Sequence, residues 1–384
     1  MVVLPRVPYP LDKGDKLRAY HMLRELSRHF KIFLCCVAEG GNPFEAKETL
    51  LEFCEEVHIY PLGKAQSLAG AAQCIFTGKP LQAGYFYNKD IHNRISEQIK
   101  RIAPDRILFQ LVRTAQYSLG LPKEKLILDY MDAFSEGYKR MAEKSFGFMR
   151  WLYAAEAKRL KKYEAEVFDG FDKHLVISAQ DGALINHPMR QTIEVICNGV
   201  DTNYFQPAQQ TKHYDLHFHG NMNYLPNVDC ALYIANQLLP ELKRRGTQVS
   251  FLISGAAPHA KIKALAKRNG IEVTGWLEDV RIAYGASKIF VAPLHLGTGI
   301  QNKILEAIAM GLPCIVSPVA ASALMLQHNQ QVLIGSTTKE YCDHIELLLQ
   351  DPARGKALAE SALKHVQQNF KWHDNMQKLI RFIA

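Results

Sequence analysis

From residue 216 onward, short apolar runs alternate with amphipathic helical patterns, and this alternation constrains the fold more than any other feature of the chain. Residues 216–219, 249–254, 271–274, 288–293, 314–317 and 331–334 read as strands. Between the first two, Pro226 and Asn227 open a helix in which Val228, Ala231, Leu232, Ala235, Leu238 and Leu239 follow the i, i+3, i+4, i+7 rule. Further helices are expected up to Arg268, over 279–286, from near Ile300 to Gly311, and over 341–350 and 352–368. Strands that each hand over to a crossover helix pair in parallel, so the pattern demands βαβ units and a sheet covered on both faces.

The first half repeats the theme less regularly. Strands are expected at 2–4, 31–37, 57–60, 106–109, 125–129, 174–177 and 192–196, with a helix over 16–28 after the first. The segment 135–168 is charged, aromatic and mostly helical by pattern. "QPAQQTKH" at 206–213 is polar and without period, which puts a domain boundary near 207–212. A chain of 384 residues exceeds what one core ordinarily serves. The expected architecture is α/β, with two Rossmann-like, doubly wound parallel-sheet domains, 1–207 and 208–368, followed by a C-terminal segment, 369–384, that carries a last helix. No internal repeat or low-complexity tract interrupts this plan.

Composition excludes several classes. At 48% hydrophobic and 22% charged residues the chain is ordinary for a soluble globular protein. No window of 18 uninterrupted apolar residues suggests a membrane span, and "MVVLPRVPYP" has neither the basic nor the long apolar part of a signal peptide. Eight cysteines without a Cys-x-x-Cys pair read as buried thiols in a reducing cytoplasm. The net charge of +8 suits anionic phosphate ligands or an anionic membrane face. No block of Lys and Arg with interleaved aromatics supports a nucleic-acid partner.

The chemistry concentrates in "HLGTGIQNKILEAIAMGLPCIVS", residues 295–317. Gly297 and Gly299 let a backbone approach a ligand without a Cβ in the way. The helix start near Ile300 and Gln301 offers unpaired N–H groups and a positive dipole end, which suit phosphate. Lys303 adds a cation one turn in, and Glu306, on the same face, can accept two hydrogen bonds from vicinal ribose hydroxyls. Together these describe a nucleoside diphosphate site. On spacing alone a surface helix with a tight entry turn and a Lys/Glu pair is an equal reading.

Other candidates sit at strand-to-helix turns, where open parallel sheets bind ligands. In "DKGDKLRAYH", residues 12–21, Gly14 permits close approach and Lys16 or Arg18 could hold an anion; the plainer reading is a helix capped by Asp15 with its cations solvated. His21 shares a face with Arg18 and could touch an acceptor, or pack in an interface. Asp132 follows a strand and is a conceivable base, while Arg113 could meet phosphate or stay solvated. His217 and His219 alternate on a strand beside Gly220 but lack a third ligand, so no metal is expected. Trp276 and Leu277 could line a base pocket or be buried. Residues 139–162 mix Lys and Arg with Phe146, Phe148, Met149, Trp151, Leu152 and Tyr153, which reads as a solvated amphipathic helix or a peripheral membrane contact.

"GIQNKILEAIAMGLPCIVS", 299–317, resembles the donor-site motif of GT-B glycosyltransferases of the GT4 type, and "VICNGVDTNYF", 195–205, resembles the family's Asn-Gly-Val-Asp signature. "RVPYPLDKGDKLRAYHMLRELSRHFKIFL", 6–34, is similar to its Gly-rich first turn, in the variant of exosortase/PEP-CTERM exopolysaccharide enzymes. "HGNMNYLPNVDCALYI", 219–234, and "VTGWLEDVRIAYGASKIFVAPL", 273–294, fall in the family's order, so the resemblance spans nearly the whole chain. It implies two domains facing across a cleft, the second holding a nucleotide diphosphate-sugar donor and the first a glycan or polyprenyl-linked acceptor. It implies retention of anomeric configuration with neither metal nor cofactor. Gly299 and Ile300 would give N–H groups to the diphosphate, Lys303 would neutralise the leaving group, and Glu306 would bind the ribose. It also implies that the last helix crosses back onto the first domain.

Two positions depart from the family. Thr298 stands where a sugar-contacting glutamate is usual, and Asn221 and Pro226 stand where an arginine and a lysine usually meet phosphate. The expectation is a cytoplasmic glycosyltransferase of exopolysaccharide assembly, at most peripheral to the inner face of the membrane. A nucleotide-sugar epimerase on the same scaffold and a non-catalytic nucleotide-sugar-binding protein are the alternatives.

Overall fold

The computed structural model describes residues 1–39, 44–207, 210–294 and 300–384. The chain separates into two compact units, one formed by Met1–Cys197 with His373–Ala384, the other by Asn198–Trp372. The chain thus changes unit between Cys197 and Asn198, and the polar stretch after Pro207 lies inside the second unit.

The first unit holds seven strands: β1 (Val2–Leu4), β2 (Phe33–Glu39), β3 (Glu56–Leu62), β4 (Ile107–Gln110), β5 (Leu126–Met131), β6 (Lys173–Val176) and β7 (Glu194–Val195). They lie in the order β3-β2-β1-β4-β5-β6-β7, all parallel. Runs such as Leu34-Cys35-Cys36-Val37 and Leu126-Ile127-Leu128 are buried throughout, as strands covered on both faces require. The first helix, α1 (Gly14–Leu26), follows β1 and buries Ala19, Met22, Leu23 and Leu26. The segment 135–168, mostly helical by pattern, is a hairpin of α2 (Phe134–Lys144) and α3 (Gly147–Phe168). Gly147 takes φ +58°, a left-handed conformation that breaks the run. The Glu164 carboxylate accepts hydrogen bonds from Ser135 N (2.9 Å) and Oγ (2.6 Å), joining the far end of α3 to the start of α2.

The second unit holds six parallel strands: β8 (Tyr214–His219), β9 (Phe251–Ser254), β10 (Ile271–Gly275), β11 (Ser287–Ala292), β12 (Cys314–Val316) and β13 (Leu333–Ile334). Their order, β10-β9-β8-β11-β12-β13, repeats that of the first six strands of the other sheet. In both sheets the order reverses beside the first strand, between β1 and β4 and between β8 and β11, the place where doubly wound sheets bind ligands. Helix α4 (Leu225–Tyr233) follows β8, and α5 (Asn302–Ala309) lies between β11 and β12. Ile304, Leu305, Ala307 and Ile308 bury one side of α5, and Gly311, at φ +73°, ends the run.

The last helix, α6 (Trp372–Ile383), buries Trp372, Met376, Leu379 and Ile383 at a spacing of three to four. From His373 on it belongs to the first unit, where His373 Nδ1 lies 3.1 Å from Glu25 Oε2 and Lys173 donates to the Phe382 carbonyl. Cysteines at all eight positions are free; seven are buried and Cys197 is half-buried. No helix among the described residues is long and apolar enough to cross a membrane.

Candidate functional site

In the second unit the candidate residues gather at the carboxyl ends of β8 and β11. Lys303 lies in the first turn of α5, whose N-cap residue Gln301 makes no side-chain cap. The Lys303 ammonium donates to Asn227 Oδ1 at 2.6 Å, reaches Gln301 Oε1 at 3.4 Å, and lies 5.4 Å from the Phe218 ring centre. Burial lowers its pKa to about 8. One turn on, Glu306 Oε2 accepts from Tyr284 Oη at 2.8 Å, and the same hydroxyl reaches the Lys303 carbonyl at 3.2 Å. Burial raises the Glu306 carboxyl above its usual range, against the pull of the Tyr284 hydrogen bond and of Lys303. The two side chains are therefore held by different neighbours.

The floor of this region is unusually tight. A Cβ on Gly220 would come within 2.6 Å of Asn227 Nδ2, and one on Gly255 within 1.9 Å of the Gly220 carbonyl. Glycine at both positions lets the turns after β8 and β9 touch through their backbones. Asn227 Nδ2 donates to Asn221 O at 2.9 Å, so one side chain holds the β8 turn with its amide and Lys303 with its oxygen. Ser254 Oγ lies 2.8 Å from His217 Nε2 and 2.9 Å from His219 Nδ1. Burial drives both histidines neutral, His219 to about 3 with Lys303 adding to the shift and His217 well below its ordinary value. A neutral His219 can then accept or donate a hydrogen bond to a polar ligand beside Lys303 without adding charge. Among the described residues no group of three His, Cys, Asp or Glu could hold a metal.

Ile300 is buried, so any contact it made to a ligand would come from its backbone. Trp276, at the end of the edge strand β10, is 61% exposed; it is not the buried aromatic of the plainer reading. Asn221 accepts from Asn223 N through its side chain, and Pro226 occupies the first turn of α4. Thr298 and Gly299 lie outside the described residues. Asn198, in the Asn-Gly-Val-Asp stretch, donates to Asn302 Oδ1 at 3.2 Å, which docks that stretch on the start of α5. Asn227, Tyr284 and Ser254 were not singled out from sequence. Asn227 reads there only as a helix opener, and nothing local marks Tyr284 or Ser254 as partners of Glu306 and the histidines.

The first unit gathers its candidates separately. Arg18 is fully buried: Nε and Nη2 pair with the Asp129 carboxylate at 2.7 and 3.2 Å, and Nη1 donates to Ile196 O at 2.8 Å. Its guanidinium thus fastens α1 to β5 and the end of β7, in contrast to the anion-binding cation expected from sequence. Lys16 pairs with Asp12 at 2.7 Å, and His21 is buried within unit one, its ring edge-on to Tyr20. Gly14 is exposed, and a Cβ there would meet no protein atom within 4 Å, so the space beside it is open. Asp15 does not cap the helix; it pairs with Arg6 at 2.7 Å. Burial would raise the Asp15 carboxyl, but Arg6 and Arg113 hold it below its ordinary value. Arg113 stacks over Phe86 (4.8 Å) and Phe134 (4.5 Å).

Asp132 lies among other carboxyls. Burial, with Asp181 and Glu164 adding repulsion, brings its carboxyl up to about 8, and burial lifts Glu164 to about 7. The backbone before it is strained: Met131 at the end of β5 takes φ +63°, and Leu111 just past β4 takes φ +64°. Non-glycine residues in this region cluster at functional sites.

Residues 213–351 match the family model described as glycosyl transferases group 1. Over 170 residues the chain is 21% identical to an uncharacterised 44.6 kDa protein of the cps region of Klebsiella pneumoniae, covering 41% of this chain and 44% of that protein. The match thus spans less than half the length of that relative. Among solved structures, sucrose-phosphate synthase of Thermosynechococcus elongatus aligns over 99% of this chain and 97% of its own, with TM-score 0.73 and 12% identity. HepE of Anabaena, in complex with UDP-glucose, aligns over 100% and 98%, with TM-score 0.69 and 13% identity. Residues 213–351 are thus similar to the glycosyl transferases group 1, and the chain as a whole has the GT-B fold of these solved structures.

Proposed function

We propose that this protein is a retaining glycosyltransferase that moves a sugar from a nucleotide diphosphate-sugar to a glycan or lipid-linked acceptor in exopolysaccharide biosynthesis. The observation that carries the reading is the placing of Lys303 and Glu306. They lie one turn apart at the start of a helix beside the switch point of the second sheet, a cation held by Asn227 and a carboxylate held by Tyr284. A diphosphate would take the ammonium and backbone N–H groups at the start of α5, and a ribose diol would take the carboxylate. The anomeric carbon–oxygen bond to the diphosphate breaks, a bond to the acceptor hydroxyl forms on the same face, and the acceptor proton leaves on the departing phosphate. Lys303 stabilises the negative charge that grows there. The HepE structures with UDP and UDP-glucose support a nucleotide-sugar donor, and the cps-region relative supports a role in surface polysaccharide. The reading places the first unit at the acceptor and the protein in the cytoplasm, peripheral to the membrane.

The test is turnover of a panel of UDP-, GDP- and ADP-sugars with released nucleotide as the readout. Lys303→Ala and Glu306→Ala should each lower turnover or nucleotide affinity about a hundredfold, the scale of losing one preorganised electrostatic contact. Unchanged affinity and turnover in both variants would place the donor elsewhere. A second reading, a nucleotide-sugar-binding protein without transfer, is favoured by Asn221 and Pro226 at positions where phosphate cations are usual. Nucleotide binding without turnover on any acceptor would select it, and a changed sugar in NMR after incubation with donor alone would select an epimerase.

A further inference from the structure

The turn between α2 and α3 exposes more large apolar surface than any role within the first unit explains. Phe146 is 88% exposed, Phe148 71%, Trp151 63% and Met149 43%. The four lie within six residues around the left-handed Gly147, and the Phe148 and Trp151 rings stack at 5.8 Å. A soluble surface scatters such side chains singly, whereas a contiguous cluster marks an interaction site.

The charge around them selects the partner. Residues 139–162 carry eight lysines and arginines against two glutamates. Glu156 is buried and spends its carboxylate on the N–H groups of Leu81 and Gln82, which leaves Glu143 as the exposed acid of the segment. Along α3, Phe148, Trp151, Ala155, Lys158 and Lys162 recur at steps of three and four and so share one face. Leu160, Tyr163 and Glu164 face the protein from the other side, all buried. One stripe therefore passes from two stacked aromatics at the hairpin tip to lysines farther along. Aromatic rings at the tip and cations behind are the two parts of an interfacial anchor, one entering the headgroup boundary and the other meeting anionic lipid.

We propose that the tip of the α2–α3 hairpin docks on an anionic lipid bilayer, Phe146, Phe148, Met149 and Trp151 entering the interface and Lys144, Arg150, Lys158 and Lys162 meeting the headgroups. This deepens the membrane-peripheral part of the function proposed above; its test uses neither donor nor acceptor, so the two fail separately. The full chain is sedimented with vesicles of phosphatidylcholine alone and of equal parts phosphatidylcholine and phosphatidylglycerol. The protein should partition onto the mixed vesicles at least about tenfold more strongly, and added salt should reduce that binding. Phe148→Ser with Trp151→Ser should weaken it by at least about tenfold, as should Lys158→Glu with Lys162→Glu. These side chains are exposed, and an unchanged circular dichroism spectrum shows that the variants fold. Equal binding to both vesicle types, or unchanged binding by the aromatic double variant, overturns the proposal. So does a lipid-independent dimer that disappears in the same variant, which would assign the patch to a second copy of the chain.

Discussion

Asn227 ties its carbonyl oxygen to Lys303 and its amide to the β8 turn, so the site's cation is held by a residue 76 positions away. With its ammonium titrating near 8, Lys303 should bind a diphosphate progressively more weakly as the pH rises past 8. Nucleotide titrations by calorimetry from pH 6 to 9 check this, and Lys303→Arg, which stays charged, should remove the decline. Asp132 titrates in the opposite sense, its folded-state value raised. Its neutral form is favoured in the folded protein, so the stability it contributes is full below the unfolded value near 4 and is lost as pH climbs through about 8. Asp181 and Glu164 share the site and titrate with it. Chemical unfolding between pH 5 and 8 should show stability falling, and Asp132→Asn should flatten that fall by about 1–3 kcal/mol.

At the scale of elements, tight turns do what capping side chains do not. α5 begins at Gln301 without a side-chain cap, and its first turn is bounded by Asn198 on one side and Lys303's own contacts on the other. The β8 and β9 turns meet through Gly220 and Gly255. Gly255→Ala meets two obstacles, a φ of +127° and a carbonyl 1.9 Å from the new Cβ. It should cost at least about 1–3 kcal/mol, read as a lowered denaturant midpoint, and it should weaken nucleotide binding by moving Gly220 against Asn227. The α2–α3 region shows where pattern reading stops: helical periodicity runs through 135–168, but Gly147 at φ +58° turns the chain back on itself. A glycine in a helical pattern is compatible with either outcome, and the pairing of Ser135 with Glu164 decides it.

For the whole molecule, two sheets share one strand order, and the last twelve residues belong to the first unit although they follow the second in the chain. Removing 373–384 takes away Met376, Leu379 and Ile383 together with the partners of Glu25 and Lys173. At about 1.5–3 kcal/mol per buried side chain, the first unit should lose several kcal/mol. Hydrogen exchange on the truncated chain should speed up in α1 and β6, while protection of β8, β9 and β11 is retained. Faster exchange in the second sheet alone would contradict the assignment of α6 to the first unit.

The alternation of apolar runs and amphipathic helices sufficed to determine parallel α/β sheets, because a buried parallel strand and its crossover helix each carry a local period. The placing of Lys303 and Glu306 on one helix at a spacing of three was likewise legible, since that separation sets a shared face whatever surrounds the helix. Tertiary structure alone decided what those groups meet. Arg18 looks from its sequence neighbours like a free cation and is instead locked to Asp129, 111 residues on; Asn227, Tyr284 and Ser254 meet Lys303, Glu306 and the two histidines only when two helices and a strand distant in sequence are brought together. Hydrogen-bond partners and burial depend on long-range neighbours, and a local pattern holds no record of them.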